Sequence, residues 1–413
     1  MSKSLISAVT VALVLAGGCP VVAVAADAAP TAKAPTVSKA AQKPLKAAQD
    51  AAQAKKYDEA IAKANEALAL PNKTAYDSYI AYQLLAFAYA RKGNNAEAAK
   101  AMEAELATGL TSQADQNQIY KALASVAYQQ GNYAKSAEYG NLLIKGGGAD
   151  PETYTTVAQS YYLQQKYKEA CKFLNEYVGD LEKRGQTPKE QSLQLTANSC
   201  EKAGDIPSAT TGQEKLVVYY PKPAYWNGLL YSVLRTQGIT DRQTLNVYRL
   251  MQDTKTLAQP SDYTEMAQLA MEAGTPGEAQ KVLEQGFAAN VFTDQRVKDR
   301  TQRLLEAAKK TATADQATLA KSEAEAKAAK TGDADVALGT AYLSYGQNDK
   351  ALEALNRGVG KGGLKSPAEA QIMQGIAQLR SGNKAEAQKT FKSVKSDDAT
   401  WARIAKLWAL NAS

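Results

Sequence analysis

From Ala41 to the end of the chain, apolar and small residues fall three and four apart, the period of an amphipathic helix. No run of useful length alternates as a strand would. Turn residues punctuate the pattern: Gly93-Asn94, Gly131-Asn132, Gly204-Asp205, Gly274 and Gly382-Asn383 each separate a pair of helix-length stretches. The clearest stretch is 154–177, where Tyr154, Val157, Ala158 and Tyr161 precede a turn and Ala170 and Leu174 follow it. Ala158 and Ala170 are small where two helices must approach closely. Equivalents of Ala170 recur at 60, 98, 136, 209, 244, 279, 351 and 387. Their steps are 34 to 39 residues, except for a double step of 72 between 279 and 351. One helical pair cannot bury its apolar face alone, so the recurrence predicts a stack of pairs in which each covers its neighbour.

This unit is similar to the tetratricopeptide repeat (TPR), with Tyr154, Val157, Ala158, Tyr161, Ala170 and Leu174 on the motif positions. The resemblance implies an all-α fold, a right-handed superhelical α-solenoid of about ten TPR-like helix pairs plus a C-terminal capping helix. Seven units are expected over residues 41–293, a degenerate helical pair split near 311–315 over 294–330, and two further units over 331–397. A capping helix over 398–413 carries Trp401, Ile404 and Trp408. Thr244 and the stretch from Trp226 mark a divergent sixth unit.

The ends of the chain bear on destination. Residues 1–26 read as a signal peptide, with Lys3, an apolar run from Leu5 to Ala16 and small residues up to Ala26. Residues 27–40, rich in Ala, Pro and Thr, read as a flexible linker. The expected location is the bacterial periplasm; lipidation at Cys19, in Ala16-Gly17-Gly18-Cys19, is the less favoured alternative. No other run is long and apolar enough for a membrane span. Loss of the signal leaves 48 basic against 42 acidic residues, and no basic block tracks phosphates, so nucleic acid is not an expected partner.

Histidine is absent, which removes the commonest general base and the commonest metal ligand. No nucleophile motif, metal set or cofactor motif stands out. Gly358-Val359-Gly360-Lys361-Gly362 follows a helix rather than a strand and has no Ser or Thr after the lysine, so it fails as a phosphate loop. The expectation is a non-enzymatic scaffold without cofactor or metal. Cys171 and Cys200 would lie on stacked helices; they form either a disulfide, suited to an oxidising compartment, or two buried thiols.

The TPR resemblance implies a groove lined by the first helices. Carried onto this chain it comprises Phe87, Arg91, Tyr128, Gln129, Gln159, Tyr162, Asn198, Asn227, Tyr231, Arg235, Gln268 and Arg380. Amides can pair with the backbone of an extended peptide, and tyrosines offer a flat apolar face with a polar tip. The expected partner is therefore a protein or peptide. The regular Lys/Asn/Arg set of relatives that clamp a peptide's terminal carboxylate is missing. Segments 219–230 and 262–291 are further similar to periplasmic TPR proteins encoded with TonB-type systems, which implies an accessory role in outer-membrane transport. The alternative is a scaffold for envelope or exopolysaccharide assembly and secretion.

Overall fold

The computed structural model describes residues 35–413, all helix and connection, in two compact units with the chain boundary at Tyr177/Val178. The signal peptide, Cys19 and most of the linker lie outside the described residues. The first unit holds α1 (Lys39–Gln53), α2 (Tyr57–Leu68), α3 (Ala75–Arg91), α4 (Asn95–Ala107), α5 (Gln113–Gln129), α6 (Tyr133–Lys145), α7 (Pro151–Leu163) and the first turns of α8 (Tyr167–Lys183). The second holds α9 (Glu190–Lys202), α10 (Ile206–Tyr219), α11 (Pro223–Leu234), α12 (Asp241–Asp253), α13 (Pro260–Glu272), α14 (Pro276–Ala288) and α15 (Gln295–Ala328). It continues through α16 (Asp333–Ser344), α17 (Asn348–Lys361), α18 (Pro367–Arg380), α19 (Lys384–Ser393) and α20 (Ala399–Asn411).

Consecutive helices pack as pairs, and the small residues sit where the rhythm put them. Ala60, Ala98, Ser136, Ala170, Ala209, Ala279, Ala351 and Ala387 are all buried. A larger side chain there would push the pair apart. The turn inside each pair needs a left-handed residue, and Gly131 (φ 75°) supplies it between α5 and α6. Gln165 (φ 59°) fills the same place between α7 and α8 at a steric cost. Helix starts are pinned by side chains. Asp77, almost fully buried, accepts from the backbone N–H of Thr74 at 2.9 Å and from that of Ser38 at 2.9 Å. One carboxylate thus caps α3 and holds the entry to α1, which begins at Lys39, within the expected linker.

Residues 294–330 differ from the expected pair. They form one continuous helix, α15, of 34 residues. Nothing in Thr311-Ala312-Thr313-Ala314-Asp315 breaks a helix: there is no Gly or Pro, and threonine costs only a few tenths of a kcal/mol to ~0.7 relative to alanine. Thr301, Leu305, Ala308, Ala312, Leu319 and Ala326 are its buried residues, a seam that α14 and α16 cover. Two tyrosines of the α16 region hold it: Tyr345 donates to Asp315 Oδ2 at 2.6 Å and Tyr342 to Glu323 Oε2 at 2.8 Å.

The second unit folds back on itself. Helix α12, from the divergent sixth unit, is buried on nearly every side: Gln243, Asn246 and Arg249 are as covered as Leu245, Leu250 and Met251. It meets α11 and α13 in sequence and α20 from the far end of the chain. Helix α20 covers α18 and α19 as a cap would, with Trp408 fully buried and stacked 5.6 Å from Phe391. Gly375 makes room for that ring; a Cβ there would lie 2.4 Å from Phe391 Cε1. The same helix also reaches α10, α11 and α12.

Candidate partner-binding faces

In the first unit, the residues expected along the groove lie in the C-terminal halves of α3, α5 and α7. Phe87 is half-buried, edge-on to Tyr57 at 6.4 Å, with the Arg91 guanidinium 5.1 Å above its ring. Tyr128 donates its hydroxyl to Gln159 Oε1 at 3.1 Å, so these two do come together, from α5 and α7. Tyr128 also meets Tyr133 edge-on at 5.5 Å, and Tyr162 meets Tyr167 at 5.2 Å. Burial holds the Tyr128 hydroxyl above its ordinary pKa, with Tyr133 adding to it. Gln129 is exposed. The result is a row of half-buried aromatic faces edged by amides and one arginine.

The expected residues of the second unit are more deeply engaged. Asn227, Tyr231 and Arg235 lie four apart on α11 and its C-terminal end. Tyr231 donates to Asp262 Oδ2 at 2.8 Å, and burial, then Asp262, pushes its pKa up to about 12. Asp262 also accepts from the backbone N–H of Gln259 at 2.8 Å, so this tyrosine staples α11 to the start of α13. Arg235 Nε donates to the carbonyl of Tyr231 at 3.1 Å. Arg380 pairs with Asp253 of α12 at 3.5 Å. Asn198 and Gln268 are exposed. Alongside these, α20 places Arg403 Nη2 2.6 Å from Ser232 Oγ of α11 and Lys406 Nζ 2.7 Å from Glu214 of α10. Gln243 of α12 donates to Asp398, the N-cap of α20, at 2.7 Å. The chain's own last helix therefore occupies surface on α10, α11 and α12.

Several polar groups had no signal in the sequence. Arg249 of α12 and Glu278 of α14 form an ion pair with Nη2–Oε2 at 2.8 Å and Nε–Oε1 at 2.9 Å, nearly closed to solvent. Thr275 donates to the same carboxylate at 3.1 Å. Burial opposes both charges, but each holds the other ionised: Glu278 lies below the usual carboxylate range and Arg249 above its own. Glu105 of α4 is buried with a neutral partner, Gln83 Nε2 at 3.0 Å, and burial raises its pKa to about 7. Lys361, the lysine of the glycine-rich stretch, is spent on Asp335 at 2.7 Å and on the carbonyl of Ala326 at 2.7 Å. Its glycines close the end of α17, where Gly332 N–H donates to Gly362 O at 2.9 Å. Cys171 and Cys200 are both buried, on α8 and α9. Among the described residues no group of three or more Cys, Asp or Glu is placed to hold a metal, and no helix is long and apolar enough to cross a membrane.

Comparison with known proteins agrees with the helix pairs. No curated protein matches the chain. Among solved structures, the chain is similar to a chain of the Naa15/Naa10 complex bound to HypK-THB, at 16% identity and TM-score 0.38, over 89% of this chain. This chain spans 66% of that one. It is also similar to a tetratricopeptide repeat protein from Parabacteroides merdae, at 13% identity and TM-score 0.24, over 71% of this chain and 98% of that one. A third is the TPR2AB domain of yeast Sti1 in complex with pHSP90, at 15% identity and TM-score 0.23, over 72% and 98%. Scores this low carry nothing about partner or activity. The family model of the tetratricopeptide repeat matches residues 88–152 and 336–400, one stretch in each unit, and in those stretches the chain carries tetratricopeptide repeats.

Proposed function

We infer that the protein is a non-enzymatic scaffold that binds a protein or peptide segment, exported to the bacterial periplasm and accessory to TonB-type outer-membrane transport. Tetratricopeptide repeats support the binding role, because stacked helix pairs offer an extended surface of fixed shape. The observation that carries the reading is the row on α3, α5 and α7: Phe87 with Arg91, Tyr128 with Gln159, and Tyr162, half-buried and flanked by the exposed amide of Gln129. Aromatic faces ordered by their neighbours lose little entropy on binding, and amides match a peptide backbone. In the second unit Tyr231 and Arg380 are spent on Asp262 and Asp253, so partner contact falls first to the first unit. Export and the envelope role rest on the signal-like residues 1–26 and on the likeness of 219–230 and 262–291.

A photo-crosslinking amino acid at position 129, in cells expressing the full chain, tests the reading. Capture of a defined envelope protein from the periplasmic fraction is expected, lost when Tyr128 and Tyr162 are both changed to Ala. No adduct from position 129, or adducts indifferent to those changes, would refute the assigned face. Recovery of the chain in the cytoplasmic fraction would refute export.

A further inference from the structure

Seven of the ten arginines in the second unit are engaged by other groups of the chain. Arg184, Arg242, Arg249, Arg357 and Arg380 each pair with a carboxylate. Arg235 and Arg403 bond a carbonyl and a hydroxyl. Within that unit the three arginines of α15 stand apart: Arg296, Arg300 and Arg303 are exposed and, among the described residues, have neither an ion pair nor a hydrogen bond. Their spacing of four and three places them on one face of the helix. All three fall in the N-terminal third of α15.

That face borders a cleft of about 300 Å³ between α13 and α15, lined by Thr264, Gln268, Arg300, Thr301, Arg303 and Leu304. Thr301 is 1% exposed, yet its hydroxyl has no hydrogen-bond partner. A threonine in a helix ordinarily bonds the carbonyl one turn back, and an orphaned buried hydroxyl is costly. Two arginines, a threonine with an unpaired hydroxyl and a glutamine with an exposed side chain therefore line one opening.

We propose that the cleft between α13 and α15 binds an acidic peptide segment of a partner protein. Arg300 and Arg303 take its side-chain carboxylates, Thr301 donates to one of them, and Gln268 pairs with its backbone. Planar guanidiniums match carboxylates with two parallel hydrogen bonds. Gln268 offers an acceptor as well as donors, which suits a peptide bond. Leu304 gives the cleft an apolar wall, which a segment with apolar residues beside its acids would cover and a bare inorganic anion would not. The inference rests on reading the chain as a scaffold for protein segments.

The test uses the full chain and fluorescein-labelled hexaglutamate, read by anisotropy at low salt, with hexaserine as the neutral control. Arg300→Gln with Arg303→Gln is expected to weaken binding ~10-fold or more, since each lost charged hydrogen bond is worth roughly that factor. Lys321→Gln with Lys330→Gln, equal in charge removed, is expected to change it less than ~2-fold. Thr301→Val is expected to weaken binding ~3-fold without lowering the melting temperature, because the hydroxyl it removes bonds nothing in the free protein. The proposal is overturned if hexaglutamate does not bind, if the lysine pair matters as much as the arginine pair, or if Thr301→Val leaves affinity unchanged. Inorganic phosphate displacing the peptide as readily as unlabelled hexaglutamate would mark a general anion site and overturn the peptide assignment. If crosslinking at position 129 still captures its partner while the arginine variant behaves as wild type, this proposal alone fails; loss of all capture removes the scaffold reading itself.

Discussion

Glu105 makes the stability of the first unit depend on pH in a direction that can be worked out beforehand. It is 4% exposed, hydrogen-bonded to the neutral amide of Gln83, and not paired with a cation among the described residues. Burial is the main reason its pKa rises from 4.5 to about 7; the Gln83 hydrogen bond opposes the rise, and the charge of Asp115 adds to it. The folded chain therefore holds this proton more tightly than the unfolded chain does. Stability contributed by the protonated group is whole below pH ~4.5, declines as the unfolded chain ionises, and is gone above pH ~7. A rise of that size corresponds to at most about 3 kcal/mol, at 1.36 kcal/mol per unit. Glu105→Gln keeps the shape and an acceptor for Gln83 but cannot ionise. It should match wild type at pH 4 and be more stable by about 1–3 kcal/mol at pH 8. Urea denaturation at both pH values gives the free energies, and hydrogen exchange in α4 assigns the transition to the first unit. An equal effect at both pH values, or destabilisation at pH 8, would refute the reasoning.

The buried pair on α12 and α14 should respond very differently to one change and to two. Arg249→Met strands Glu278 without its cation and should cost ~3–5 kcal/mol, whereas Arg249→Met with Glu278→Leu should be near neutral, both read by urea denaturation. Gln165→Gly relieves the left-handed backbone at that turn and should raise stability by about 1 kcal/mol by thermal melting, net of the freer unfolded chain. Trp408→Ala empties the space over Phe391 and should cost ~3–5 kcal/mol while freeing α20, seen as faster exchange there and in α12. Peptide mapping without reductant separates the two readings of Cys171 and Cys200: a linked peptide marks the disulfide, free thiols the buried pair.

The repeating unit was legible because its physics is local. A small residue is demanded wherever one helix crosses the next, and the rhythm of Ala60, Ala98, Ser136, Ala170 and their later equivalents carries that demand into the sequence. The turn at Gly131 is readable for the same reason, since only a left-handed residue fits. The continuity of α15 is not legible locally, because a polar stretch with threonines resembles a break while continuity depends only on the lack of one. Spacing in the sequence put Tyr128 and Gln159 on α5 and α7, and the two side chains meet through one hydrogen bond. It could not show that Tyr231 and Arg380, which look equally available, close on Asp262 and Asp253.

What the sequence determined by itself was the all-α fold, the helix pairs and the polar character of their faces. These follow from spacing within some forty residues. The tertiary structure alone decided that α20 returns to α10, α11 and α12, and that α12 becomes a buried hub with Arg249 held by Glu278. It alone left Arg300 and Arg303 unpaired beside the orphaned hydroxyl of Thr301. Those outcomes depend on how small rotations between successive pairs accumulate, and no single repeat encodes that sum.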